Sequence, residues 1–185
     1  MEIDWTAVTF MATPFIGGVY GGMVTKRNLL WYAELKRPPF TPPNWAFSPI
    51  WTTLYSSMGY ASYIVYKDGG GFSGTAKWPL IIYGSNVLAN WTWTTIFFEK
   101  KNMKMAFCEL QFINATALTM SYLFYRINHK AGLLILPYIG WLAVSTALTY
   151  SFWQENQADE KKVEDMEKTT SKKNSPNSDK SQIQL

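Results

Sequence analysis

One cysteine and one histidine occur among 185 residues. Cys108 has no partner for an intrachain disulfide, which excludes a cross-linked scaffold and leaves it a small packing residue. His129 has no second His, Cys or carboxylate at metal-ligand spacing, so no metal centre is expected. Gly69-Gly70-Gly71 is not followed by Lys-Ser/Thr, which removes the phosphate-cradling loop, and no Ser-His-Asp set offers itself. Nothing calls for a cofactor or a nucleic-acid partner. Internal repeats are missing, as are paired broken segments, which weighs against an alternating-access transporter. The acidic start Met1-Glu2-Ile3-Asp4-Trp5 is unlike a basic presequence, so no cleavable targeting segment is read.

Charge is the other scarcity. Only 16% of residues are charged against 48% apolar. Charge-free runs of 21, 29, 21 and 24 residues separate Asp4 from Lys26, Arg37 from Lys67, Lys77 from Glu99, and Lys130 from Glu155. Met105 to Tyr125 adds a fifth run, interrupted by Glu109 alone. About 20 residues at about 1.5 Å each cross the hydrocarbon of a bilayer. A helix in water needs a polar face, so five such runs predict an all-α membrane protein, a bundle of five transmembrane helices near 5–25, 45–66, 78–98, 103–126 and 132–153. Mean hydropathy is only −0.10, lowered by a polar tail and by Trp and Tyr. Trp5, Trp45, Trp78 and Trp153 fall near the ends of these spans, as interface anchors do.

Lys26, Arg27, Lys36, Arg37, Lys100, Lys101, Lys104 and the tail lysines lie on one side of such a bundle, 13 cations against 4 opposite, which predicts a cytosolic first loop and C-terminus. The chain divides into a transmembrane domain, 1–156, and a polar tail, 157–185, expected to be disordered. Glu164 and Lys168, four apart, favour a helical extension past the bilayer before that disorder.

Inside the spans several residues bear on function. Gly17, Gly18, Gly21 and Gly22 form two overlapping G-x-x-x-G pairs, suited to close helix packing within the chain or across a homodimer. Arg37-Pro38-Pro39-Phe40-Thr41-Pro42-Pro43-Asn44 is a stiff loop able to cap a cavity, with Asn44 as the expected N-cap of the next helix. Trp51 and Trp141 sit deep in their spans, where a flat indole suits stacking on a rigid ring system. Asn90 and Trp93 are expected to turn polar groups inward. Glu109 is the one ionisable group well inside a span, expensive unless it faces the bundle or is paired.

The string Lys36 to Tyr60, with Pro14, Gly17-Gly18, Trp31-Tyr32-Ala33, Asn90-Trp91-Thr92-Trp93, Phe97-Phe98, Pro137-Tyr138 and Trp141-Leu142-Ala143, resembles the signature of the translocator protein (tryptophan-rich sensory protein) family across residues 5–156. The resemblance implies a helix-bundle cavity that binds porphyrins, sterols and related lipophilic ligands, lined by Phe47, Ser48, Trp51, Asn90, Trp93, Met105, Cys108, Glu109, Phe112, Trp141, Ser145 and Leu148. It also implies three departures. Thr94 and Thr95 stand where animal members commonly have Pro, so a straighter third span is expected; Met105 stands where Trp is frequent; and the sterol motif Leu148-x-Tyr150-x-x-x-Gln154 ends on Gln instead of Arg. A receptor or carrier is the leading function. The alternatives are light-dependent degradation of protoporphyrin IX through tryptophan radicals on Trp51 and Trp141, and a membrane scaffold. Family precedent favours the mitochondrial outer membrane, with the endoplasmic reticulum as alternative.

Overall fold

The computed structural model describes residues 3–173. Within them the chain is helical and strand-free: α1 (Trp5–Arg27), α2 (Leu29–Glu34), α3 (Asn44–Asp68), α4 (Lys77–Thr94), α5 (Met103–Ile127), α6 (His129–Leu133) and α7 (Leu136–Lys173). Five are long, and they follow the five predicted spans closely. The last is preceded by the separate turn α6 and continues beyond 156 to Lys173, whereas residues 174–185 lie outside the described part.

Three helices, α1, α5 and α6, start where a side chain satisfies free backbone N–H groups. Asp4 Oδ1 accepts from Thr6 N (3.0 Å) and Ala7 N (3.1 Å), and Asn102 Oδ1 accepts from Met105 N at 2.8 Å. Asn128 caps α6 in the same way, accepting from Lys130 N at 2.9 Å. Asn44 does not cap α3: the helix already includes it, Pro43 holds the cap position in extended backbone, and no side chain bonds the first turn. Proline fixes the geometry there without supplying an acceptor.

The third span does not end as a regular α-helix where the prolines are missing. It passes into a π-helical turn, Thr95–Glu99, in which Lys100 N bonds Thr95 O at 3.0 Å. The wider turn brings the three consecutive residues Ile96, Phe97 and Phe98 to the interior.

The long helices pack as a ring in the order α1, α4, α5, α7, α3, with α3 back against α1 and only sparsely against α7. One core cluster, around Met58, Ile113, Met120, Phe124, Tyr138 and Leu142, fills the half of the bundle nearer the 69–76 connection. A second, with Val24, Tyr32, Phe97, Met103 and Phe152, fills the half nearer the first loop. Where α3 and α7 draw apart between these clusters, space is left.

Close approach in the ring depends on small residues. Pro14 lacks the N–H that would bond Phe10 O within α1. Gly59 of α3 packs against that turn so tightly that a Cβ there would lie 2.8 Å from Met11 Cα and 2.9 Å from Phe10 O. Gly17 receives the indole of Trp91: a Cβ would fall 1.7 Å from its Cδ1. Gly18 meets Tyr55 and Gly21 meets Thr94, so three of the four glycines serve packing within the chain, while Gly22 has nothing within 4 Å.

Large apolar side chains also face outward, with Ile16 64% and Val19 66% exposed, the arrangement of a surface bathed in lipid. Two stretches, Trp5–Arg27 and His129–Gln157, are by themselves long and apolar enough to cross a membrane. The other long helices carry more Ser, Thr, Asn and Tyr. Many of these hydroxyls bond their own helix, as Ser56 to Thr52 O (2.8 Å), Ser85 to Ile81 O (2.7 Å) and Thr119 to Ala115 O (2.8 Å) do, which removes most of their cost in hydrocarbon.

Two outcomes follow. Gly17→Ala must displace the Trp91 indole and is expected to cost about 1–3 kcal/mol, whereas Gly22→Ala is expected to be neutral or mildly stabilising through helix propensity; thermal unfolding of the two variants in the same detergent checks the contrast. Asp4 also accepts from Tyr63 Oη at 2.6 Å. That bond first, then the cap bonds, holds its carboxyl below the ordinary 3.8. A depressed folded-state pKa contributes stability that is present above the unfolded value and lost as pH falls through the folded one. The stability gap between wild type and Asp4→Ala is therefore expected to be level near neutral pH and to narrow only in acid below about pH 4.

Candidate functional site

The space between α3 and α7 is a cavity of about 570 Å³, within the range of small-molecule pockets. Phe47, Ser48 and Trp51 of α3 line one wall, and Leu142, Ser145 and Leu148 of α7 the other. Asn90, Trp93 and Phe97 come from the α4 side, and Gly17, Gly18, Gly21 and Gly22 let the cavity reach the backbone of α1. Lys26, Leu29 and Asn44 stand at the end nearest the first loop.

Of the twelve residues expected at the site, Phe47, Ser48, Trp51, Asn90, Trp93, Ser145 and Leu148 line this cavity. Trp141 sits behind it, its ring 5.7 Å from Phe47 edge to face, with a buried Nε1 that has no hydrogen-bond partner among the described residues. Met105, Cys108, Glu109 and Phe112 are not in its lining. The turn of α5 explains this: Met103, Ala106, Leu110 and Ile113 take the inward stripe, leaving Met105 and Phe112 about half exposed and Cys108 exposed. Glu109 lies at the seam with α4, where Thr92 Oγ1 donates to its Oε1 at 2.6 Å and its Oε2 is enclosed without a partner.

Trp93 contributes its ring and not its N–H. The indole stacks on Phe97 (5.1 Å, 14°), and Nε1 donates to Ala106 O at 3.1 Å, so the polar atom is used in joining α4 to α5. The expected sterol motif divides between two surfaces: Leu148 faces the cavity, while Tyr150, 47% exposed, packs outside against Phe107 (5.5 Å) and Trp153 (6.1 Å). Residues two apart on a helix cannot share a face. Gln154 is exposed and accepts from Gln157 Nε2 at 3.0 Å.

Two contributors are not apparent from sequence patterns. Asn86, fully buried, donates through Nδ2 to Ile113 O (2.9 Å) and Thr116 Oγ1 (2.8 Å), and accepts on Oδ1 from Tyr138 Oη (2.9 Å) and Asn90 Nδ2 (3.2 Å). Asn90 Nδ2 also donates to Asn86 O (3.0 Å) and Tyr138 Oη (2.6 Å), so three side chains knot α4, α5 and α7 beneath the cavity. Asn156 is the second. Its Oδ1 accepts from Lys36 N (3.0 Å) and its Nδ2 donates to Lys36 O (3.2 Å), a two-pronged clasp that fastens the first loop to α7. Arg37 reinforces the loop by lying over the Tyr32 ring (4.6 Å) and donating to Tyr32 O at 3.3 Å. The signal in the sequence is slight: a lone Asn in each case, one i−4 from another Asn, the other in a run of polar residues.

A helical bundle with lipid-facing aliphatics outside and an aromatic, sparsely polar cavity within defines a membrane protein that takes up a small lipophilic molecule. The sequence model of the TspO/MBR family matches residues 10–154, and the chain belongs to that family of integral membrane proteins. It is 40% identical over 159 residues to the translocator protein of Bos taurus, covering 85% of this chain and 94% of that one. It is 38% identical over 158 residues to the translocator protein of Homo sapiens (84% and 94% covered) and 32% identical over 141 residues to the tryptophan-rich protein TspO of Archaeoglobus fulgidus (75% and 89%).

Asn156→Ala removes both prongs of the clasp, and the backbone bonds thereby freed are worth about 1–3 kcal/mol. Amide hydrogen exchange at residues 35–41 is expected to quicken at least several-fold in the variant, while exchange in α5 stays as in wild type.

Proposed function

We propose that the protein is a membrane receptor or carrier whose five long helices all span the bilayer and whose cavity holds a flat lipophilic ligand of the sterol or porphyrin class. The observation that carries this reading is the cavity itself: about 570 Å³, mainly apolar and with rings on several walls, with Trp51 on its face between Tyr55 (5.2 Å) and Tyr138 (6.5 Å). A rigid, flat ligand loses little conformational freedom on binding and gains from every aromatic face it covers. The first loop, fastened by Asn156, acts as the cover at the charged end. In this reading that end and the tail face the cytosol, as the distribution of Lys and Arg favours, and the family resemblance favours the mitochondrial outer membrane.

Titration of the purified full-length chain with protoporphyrin IX and with a sterol, followed by tryptophan fluorescence, tests the proposal. Saturable binding is expected in wild type. Trp51→Ala is expected to weaken it about tenfold, since an aromatic contact contributes about 1 kcal/mol beyond its buried area and truncation also removes that area. Glu109→Leu, a change outside the cavity, is expected to bind as wild type does. Absence of saturable binding by either ligand overturns the receptor reading. Under illumination, loss of the Soret band in wild type but in neither Trp51→Phe nor Trp141→Phe replaces the receptor with a porphyrin-degrading enzyme.

A further inference from the structure

The hydrogen bonds beneath the cavity specify more than its size. Ile113 O and Asn86 O are carbonyl oxygens, which only accept, so the Nδ2 atoms of Asn86 and Asn90 that contact them are fixed as the donors. Both hydrogens of Asn90 are then committed to Asn86 and Tyr138, and the single hydrogen of Tyr138 is committed to Asn86 Oδ1. Asn90 Oδ1 is left over. No described residue donates to it, it is not among the polar atoms sealed inside the protein, and the cavity is what Asn90 lines. The hydroxyls of Tyr55, Ser145 and Thr149 nearby can turn to donate or accept, but the amide cannot, because the knot holds it in one orientation.

We infer that Asn90 Oδ1 is a dedicated acceptor at the inner end of the cavity and that the ligand enters with a neutral hydrogen-bond donor, a hydroxyl or a ring N–H, leading. This rests on the proposed ligand class and narrows it. A carboxylate or ketone at that depth meets a fixed lone pair and leaves both acceptors unpaired in an apolar enclosure, the circumstance in which polar mismatch is most costly. An acidic group on the ligand belongs at the other end. Lys26, the one cation among the lining residues, stands there, nine positions along α1 from Gly17, a rise of about 13 Å. The cavity is therefore polarised along its length, acceptor inside and cation at the loop end, and sets which way round an amphiphile sits.

Binding of a matched trio to the full-length protein tests this: a radiolabelled 3-hydroxysterol, its 3-keto analogue and its 3-O-methyl ether, which share one apolar body. Wild type is expected to bind the alcohol about tenfold or more tightly than either analogue, the size of one satisfied against one unsatisfied buried hydrogen bond. Trp51→Phe is expected to weaken all three together and keep the ratio. Asn90→Leu is expected to reduce the ratio to near one, and because that change also cuts the knot, the wild-type ratio stands as the primary reading. Equal binding of the three by wild type overturns the inference while leaving the cavity as a sterol site. Failure of all three to bind overturns both.

Discussion

The knot of Asn86, Asn90 and Tyr138 is the constraint on which the rest of the bundle's interior depends. In hydrocarbon a helix can slide or rotate against its neighbours with little change in apolar contact, since lipid tails are as apolar as leucine. Directional bonds remove that freedom. Asn86 reaches across to Ile113 O and Thr116 on α5, and Tyr138 of α7 closes the triangle, so three helices acquire one register. Every aromatic wall of the cavity is placed relative to that register, and a cavity can persist there without collapsing because its floor cannot move.

The two sides of the bundle solve the packing problem differently. Between α1 and its neighbours the polar ties are few, Asp4 with Tyr63 at one end and Tyr20 with Thr95 at the other; between them contact is made by deleting side chains, Gly17 giving way to Trp91 and Gly59 to the turn that Pro14 leaves open. Dispersion at short range replaces hydrogen bonding. The result is a smooth face of α1 along which the cavity runs.

The long helices were legible from gaps between charges because a run of about 20 residues without a charge is long enough for one helix in apolar surroundings, and that constraint is written in residue types. The cavity walls on α3 and α7 were legible too, since Trp51 and Leu148 fall within recognisable motifs. Two kinds of feature were not. Helix rotation was one: Met105, Cys108 and Phe112 surround Glu109, an acidic residue that looks functional, yet α5 gives its inward stripe to Met103, Ala106, Leu110 and Ile113, and the resemblance had drawn attention to the acidic residue and not to that stripe. The other was the partner of a polar residue. Asn86 and Asn156 are single letters whose roles depend on groups 27 to 120 positions away in sequence, and neither composition nor spacing reports them.

The π-turn at Thr95–Glu99 places an arithmetic condition on the chain. An ordinary helix tolerates many substitutions because each residue advances the same angle, but here one extra residue has been absorbed within a turn, and Ile96, Phe97 and Phe98 all point inward only because of it. Between Trp93, held to Ala106, and Asn102, which caps α5, the number of residues is consequently fixed even where their identities are free. Removing one would restore a regular helix and be locally comfortable, yet it would swing Phe97 and Phe98 away from Tyr32 and Phe152 and unmake the wall beneath the first loop. In this segment chain length, more than chemistry, is the inherited quantity.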